Sequence, residues 1–188
     1  MEDAEIIREV TAGRRELFAG LVRKYQDRIV GLCASILSDR SQAEDAAQEI
    51  FIKAFRALDE FRGGAAFATW LYRVASNHCL DLLRKKSRQK TDSLEMLAER
   101  EGERLEKLFA APDPAGSLLE KSDLVERALS RLPPDYRLIL TLRESQGLNY
   151  REIAQVLNCS VDAVKARLRR ARKELEGNLR HFLDPENV

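Results

Sequence analysis

Between Lys165 and Lys173 six of nine residues are basic and none is acidic. Read at 100° per residue, Val161, Val164, Leu168, Ala171 and Leu175 form one apolar stripe. Lys165, Arg169, Arg170 and Lys173 then point away from it, with small Ala163 and Ala166 between them. A helix built this way fits a major groove, where Arg and Lys read guanine edges and flanking cations contact phosphates. A basic run is more often a plain solvated face. The residues just upstream argue otherwise: Asn149 with Glu152 three positions on is a capping box, Asn158-Cys-Ser160 is a tight turn, and Ser160 caps the basic helix. Two short helices around a three-residue turn make a helix-turn-helix.

A second concentration of chemistry lies earlier. Six of the twelve aromatic residues (Phe51, Phe55, Phe61, Phe67, Trp70, Tyr72) fall between positions 51 and 72, and Arg84-Lys-Lys86 follows them. Phe51, Phe55 and Trp70 are plausible core residues. Yet Phe61 and Arg62 sit in a loop broken by Gly63-Gly64, and Arg73, Asn77, Arg84 and Lys85 recur at helical spacing. Aromatic faces stack unpaired bases at about 1–3 kcal/mol each while cations follow the phosphates. Asn77 supplies a hydrogen-bonding partner for a base edge. This mixture suits single-stranded or opening DNA better than intact duplex.

A third face is acidic and apolar. In and just after Glu44–Lys53, Asp45, Glu49, Ile52 and Arg56 share one side of a helix, and Ala46, Ile50, Ala54 and the phenylalanines share the other. Such a face is commonly just solvated; its alternative use is to dock a protein.

These residues must be held by helices. The chain has 188 residues, 44% apolar and 34% charged, and no alternating strand pattern. Leu17 to Leu37 carries apolar residues at three- and four-residue steps. Ser41 with Glu44 predicts a capping box for a helix to about Ala57, and Phe67–Lys86 is a third helix. Residues 87–117 turn polar and acidic and contain Ala-Pro-Asp-Pro-Ala-Gly-Ser, which reads as a flexible linker. Residues 118–188 hold a second helical set: one helix ended by Pro133-Pro134, another over Asp135–Ser145 stopped by Gly147, then the helix-turn-helix. The expected fold is all-α, two small helical domains (1–86 and 118–188) joined by a linker (87–117). Each is small enough to be marginal alone, so partners are expected to stabilise both.

Other chemistries find little support. The net charge of +1 averages +1 over residues 1–86, −3 over 87–123 and +3 over 124–188, so local clusters matter more than the total. Cys33, Cys79 and Cys159 are few and far apart, without zinc spacing, and Cys33 and Cys79 are expected to pack as small apolar side chains. His78 and Cys79 are adjacent and point apart on a helix, a poor ligand pair. No metal or cofactor site is expected, and no nucleophile–base pair or phosphate loop stands out. There is no membrane-length apolar run, and the acidic N-terminus is unlike a signal peptide, which points to the cytoplasm.

Two blocks now carry a resemblance: "DAAQEIFIKAFRALDEFRGGAAFATWLYRVASNHCLDLLRKK" and "LSRLPPDYRLILTLRESQGLNYREIAQVLNCSVDAVKARLRRARKEL". Together, in that order and over about residues 14–86 and 118–178, the chain resembles the extracytoplasmic-function (ECF, group IV) sigma factors of bacterial RNA polymerase, in the sigma-70 family. The resemblance implies that residues 1–86 are sigma region 2 and 118–188 sigma region 4. It places Asp45, Gln48, Glu49, Ile52 and Lys53 where the family grips the clamp of the largest polymerase subunit, and region 4 against the flap of the second-largest. It places Phe61, Arg62, Arg73, Val74, Asn77, Arg84 and Lys85 at the −10 element, where bases are captured single-stranded. It places Lys165, Ala166, Arg167, Arg169, Arg170 and Lys173 at the double-stranded −35 element. It implies promoter opening without covalent chemistry by the chain itself, control by an anti-sigma factor, itself often membrane-bound, and no membrane insertion. A linker of about 30 residues stretches to roughly 100 Å, ample for two domains about 70 Å, two duplex turns, apart. Its acidity suggests mimicry of nucleic acid inside the polymerase channel. A stand-alone helix-turn-helix repressor and a purely protein-binding adaptor are the alternatives; the first leaves the aromatic–basic helix unused.

Overall fold

The computed structural model describes the backbone of residues 2–98 and 119–183, and the side chains of residues 2–89 and 124–183. The described residues form eight α-helices and short helical turns, with no strand among them. The acidic stretch on which the mimicry expectation rests lies largely outside the described residues.

In the first half, α1 (Asp3–Thr11) lies against α2 (Phe18–Leu37), which packs on α3 (Arg40–Arg56) and α4 (Phe67–Ala98). Leu21, Tyr25, Ile29, Leu32 and Ile36 supply the buried stripe of α2 at the steps read from the sequence. Ser38, in the left-handed region (φ 55°), ends α2. The cap of α3 differs from the expected Ser41–Glu44 box. Asp39 has the extended backbone of an N-cap and its carboxylate accepts the Gln42 N–H at 3.0 Å, so Ser41 already lies inside the first turn. A carboxylate caps an N-terminus at least as well as a hydroxyl, and it also meets the positive end of the helix dipole. That hydrogen bond holds the Asp39 carboxyl below its ordinary pKa.

The helix α4 does not stop at Lys86 but continues to Ala98, carrying helical backbone into the stretch read as linker. Residues 87–98 contain neither glycine nor proline to stop it.

In the second half, α5 (Leu119–Ser130), α6 (Pro134–Leu140) and α7 (Tyr150–Leu157) surround α8 (Val161–Leu183). Pro134 opens α6 in the first turn, where its missing N–H costs nothing. The expected helix 135–145 changes character at Thr141, where one π turn (Thr141–Ser145) follows and Gly147 at φ 71° reverses the chain. The last helix runs eight residues past Leu175, the last member of its apolar stripe.

The halves do not stand apart. α6 packs on α2 and α7 packs on α4. Leu32, Ile36 and Leu71 belong to the same continuous apolar cluster as Leu138, Ile139, Leu142 and Ile153. Each half was expected to need a partner because it buries little surface alone; here each half partners the other.

Candidate polymerase and nucleic-acid interfaces

The outer side of α3 presents Asp45, Gln48, Glu49, Ile52 and Lys53, all exposed. The inner side buries Ala43, Ala46, Ala47, Ile50, Phe51 and Ala54. Ile52 is 51% exposed, one of three large apolar side chains so placed among the described residues. Two members of this face touch α4 through His78, whose ring is 5% exposed. Lys53 Nζ lies 2.6 Å from His78 Nδ1, and Glu49 Oε2 lies 3.4 Å from Nε2 without hydrogen-bonding geometry. An ammonium can only donate, so Nδ1 accepts and the imidazole is neutral, with its proton on Nε2. Burial, then the Lys53 charge, lower the His78 pKa. His78 thus braces the face rather than joining Cys79 as a ligand. Cys79 turns to Cys33 instead: the two sulfurs are 3.5 Å apart, both fully buried.

The loop after α3 builds the second site. The Phe61 ring meets Phe67 edge-on at 5.8 Å and Trp70 at 5.6 Å, while Gly63 at φ 71° turns the chain between them. A positive φ of this kind is one that glycine adopts without Cβ strain. Phe61 is half-buried, Arg62 and Arg73 exposed. With Gly63, Gly64, Ala65, Thr69 and Trp70 they line a cleft of about 400 Å³. Val74 is half-buried and Asn77 exposed, one and two turns of backbone from Thr69–Trp70 and outside the cleft lining. Arg84 and Lys85 stand farther off, since eleven residues of helix from Arg73 to Arg84 span about 16 Å. Arg84 pairs with Asp81 at 2.8 Å, and Lys85 lines a separate groove with Leu37 and Gln42. The structure therefore gathers Phe61, Arg62 and Arg73 and leaves Arg84 and Lys85 along the same helix as outlying cations.

Three cleft residues were not legible beforehand. Trp70, read as core, is half-buried and lines the wall. Gln155 and Asn158 reach the cleft from the helix-turn-helix, and nothing local in the sequence pairs them with Phe61.

The third site is α8. Its buried stripe is Val164, Leu168 and Ala171, and Lys165, Arg169, Arg170 and Lys173 are exposed. Ala166 and Arg167 are half-buried, so Arg167 is less available than its neighbours. The expected capping holds: Asn149 accepts from Glu152 N and Glu152 accepts from Asn149 N, while Ser160 Oγ accepts from Ala163 N. Asn158 ends α7 in the left-handed region (φ 48°), giving the tight turn. Arg172 pairs with Glu144 at 2.6 Å, tying α8 to the π turn. One short helix thus positions a second whose cations face outward.

A helical body with an exposed acidic–apolar face, an aromatic–cation cleft and a helix-turn-helix fits the class of DNA-directed proteins. Known families give the same division. The model of sigma-70 region 2 matches residues 21–89, and that of sigma-70 region 4 matches residues 122–175. The RNA polymerase sigma-H factor of Pseudomonas aeruginosa is 40% identical over 186 residues, covering 97% of this chain and 96% of that one. The ECF RNA polymerase sigma-E factor of Escherichia coli is 34% identical over 189 residues, covering 97% of each. Among solved structures, the sigma factor RpoE in complex with the anti-sigma factor NepR, from Bartonella quintana, is 25% identical with a TM-score of 0.66 over 87% of this chain and 96% of that one. CnrH in complex with the cytosolic domain of CnrY gives 0.68 at 25% identity over 94% and 96%. The chain belongs to the sigma-70 family, in its ECF group of RNA polymerase sigma factors. Its relatives are transcription initiation factors rather than known enzymes. None of the described helices is long and apolar enough to cross a membrane.

Proposed function

We propose that this chain divides the work of promoter selection among three surfaces. Asp45, Gln48, Glu49, Ile52 and Lys53 bind the polymerase clamp, with exposed Ile52 as the apolar centre of a charged rim. Phe61, Arg62, Arg73, Val74 and Asn77 capture bases of the −10 element as the duplex opens, and Arg84 and Lys85 hold phosphates downstream of them. Lys165, Arg169, Arg170 and Lys173 read or anchor the −35 element, with Ala166 offering only shape and methyl contact and Arg167 in a lesser role. Residues 1–86 act as region 2, 87–117 as the connection and 118–188 as region 4. The chain works in the cytoplasm and catalyses no reaction itself; polymerase performs the nucleotide addition. An anti-sigma protein restrains it, a reading supported by the likeness to a sigma factor captured with an anti-sigma factor.

The observation that carries the assignment is the pairing of two different DNA chemistries in one chain: an aromatic cleft beside cations, and a capped basic helix exposed along one side. A repressor uses only the second. Run-off transcription from a genomic promoter library with purified core polymerase and this chain is the test. Promoter-dependent initiation that requires both partners is expected; tight specific duplex binding by the chain alone, without initiation, sinks the proposal.

A further inference from the structure

The aromatic cluster beside the cleft is held from behind by a residue near the start of the chain. Phe61 and Trp70 line the cleft, and both touch the buried ring of Phe67, at 5.8 and 5.6 Å. Phe67, the first residue of α4, in turn meets Tyr25 of α2 edge-on at 5.6 Å. The buried Tyr25 ring ends in a hydroxyl that donates to Asp3 Oδ2 at 2.5 Å. The other Asp3 oxygen pairs with Lys24 Nζ at 2.5 Å. A line of side chains thus runs from α1 through α2 to the cleft wall. The backbone supplies a parallel route: α1 packs against the short turn Leu58–Glu60, and the Leu58 carbonyl accepts the Phe61 N–H at 3.0 Å.

We propose that Asp3 and Tyr25 are positioning residues for base capture, fixing the Phe61–Phe67–Trp70 cluster from the N-terminal helix. This rests on the reading of the cleft as the −10 site. Neither side chain lines the cleft, so both act through Phe67.

The chemistry of each link suits this role. Edge-to-face rings attract through the positive rim of one and the negative face of the other, which fixes orientation as well as distance. Such a contact transmits position only if its far end is tethered. A carboxylate that accepts a hydroxyl makes a charge-assisted bond, stronger than a neutral one. Burial, then the Asp3 bond, push the Tyr25 pKa up, so the hydroxyl keeps the proton it donates. The nine residues of α1 are too few to hold a helix in water, and it is kept in place by buried Ile6, Ile7 and Val10 and by the Asp3 tether. A stacking slot whose walls must be ordered at each encounter forfeits part of its binding energy, and a tethered one does not.

Half-buried Trp70 is the only tryptophan of the chain, so its fluorescence reports the cluster directly. In the full chain, Asp3→Ala and Tyr25→Phe should each red-shift Trp70 emission and raise its quenching by acrylamide, at temperatures where the variants are folded. With core polymerase on a promoter, both should lower permanganate reactivity of the opened bases by about fivefold, the low end for one stacked base. Binding to −35 duplex by the same assembly should stay within about twofold, since distant sites without shared partners act independently. Asp3→Asn keeps an amide oxygen for the Tyr25 hydroxyl and should behave as the unsubstituted chain, which separates the hydrogen bond from the Lys24 ion pair. Should Asp3→Ala fail to fold, Tyr25→Phe carries the measurement. The proposal is overturned if Trp70 quenching is unchanged in both variants, or if it rises while opening falls only in Phe61→Ala. Unchanged opening in Phe61→Ala counts against the base-capture reading, and Trp70 quenching then decides alone whether Asp3 and Tyr25 fix the cluster.

Discussion

Lys53 of α3 donates to Nδ1 of His78 of α4 across 2.6 Å, so a residue of the proposed docking face is anchored by a buried neutral imidazole. On its far side Nε2 faces Glu49 at 3.4 Å. One side chain on the neighbouring helix thus sets the spacing of a cation and an anion that a polymerase surface would meet.

The first prediction is a pH dependence. His78 has its pKa lowered by burial, then by Lys53. Above the unfolded value of about 6.5 the ring is neutral in both states, so stability is complete there. As pH falls through 6.5 toward the lowered folded value, the unfolded chain takes the proton first and stability is lost. Urea midpoints should fall between pH 7.5 and 5.5, and His78→Gln should flatten that loss. An unchanged slope in the variant would assign it to other groups.

Lys53→Met removes the donor to Nδ1 and leaves an imidazole acceptor buried. A loss of about 1–3 kcal/mol in folding stability is expected. Core-polymerase affinity measured by competition should weaken as well, because the proposed face loses the Lys53 charge. Retained affinity at unchanged stability would remove Lys53 from the docking face.

The thiols give a third test. Cys33 and Cys79 are fully buried, and their mutual hydrogen bond, with burial, pushes the Cys33 thiol pKa far up. A disulfide-exchange reagent at pH 8 should label half-buried Cys159 quickly and the other two only at the rate of unfolding. Rapid labelling of three thiols would contradict the packing of α2 on α4.

The two DNA surfaces should fail separately. Arg169→Ala is expected to relax −35 preference, by about 1–3 kcal/mol where the guanidinium grips a guanine edge. Asn77→Ala should leave upstream binding intact and lower permanganate reactivity of the opened bases. Unchanged reactivity would remove Asn77 from base capture.

Capping supplies the last. Asn149→Ala removes the side-chain acceptor of the Arg151 and Glu152 N–H groups, leaves the backbone N–H of position 149 on the Glu152 carboxylate, and should cost about 1 kcal/mol, read as an earlier thermal midpoint.

The amino-acid sequence determined most features that depend on neighbours three or four positions away. The stripes of α2 and α8, the Asn149–Glu152 box, the Ser160 cap and the outward cations of the last helix are all local, and helical period alone sets which residues share a face. It missed the cap of α3 because two capping residues, Asp39 and Ser41, compete within three positions, and it stopped α4 at Lys86 because a polar helix face reads like a loop. The tertiary structure decided what no short window contains. Arg137 looks like a surface charge, yet one of its two carbonyl partners lies 101 residues away. Likewise Gln155 and Asn158 complete a cleft whose other residues lie more than eighty positions earlier. Such contacts depend on how two preformed helical faces dock, and docking is set by the shape and unsatisfied polar groups of whole surfaces, which no spacing along the chain records.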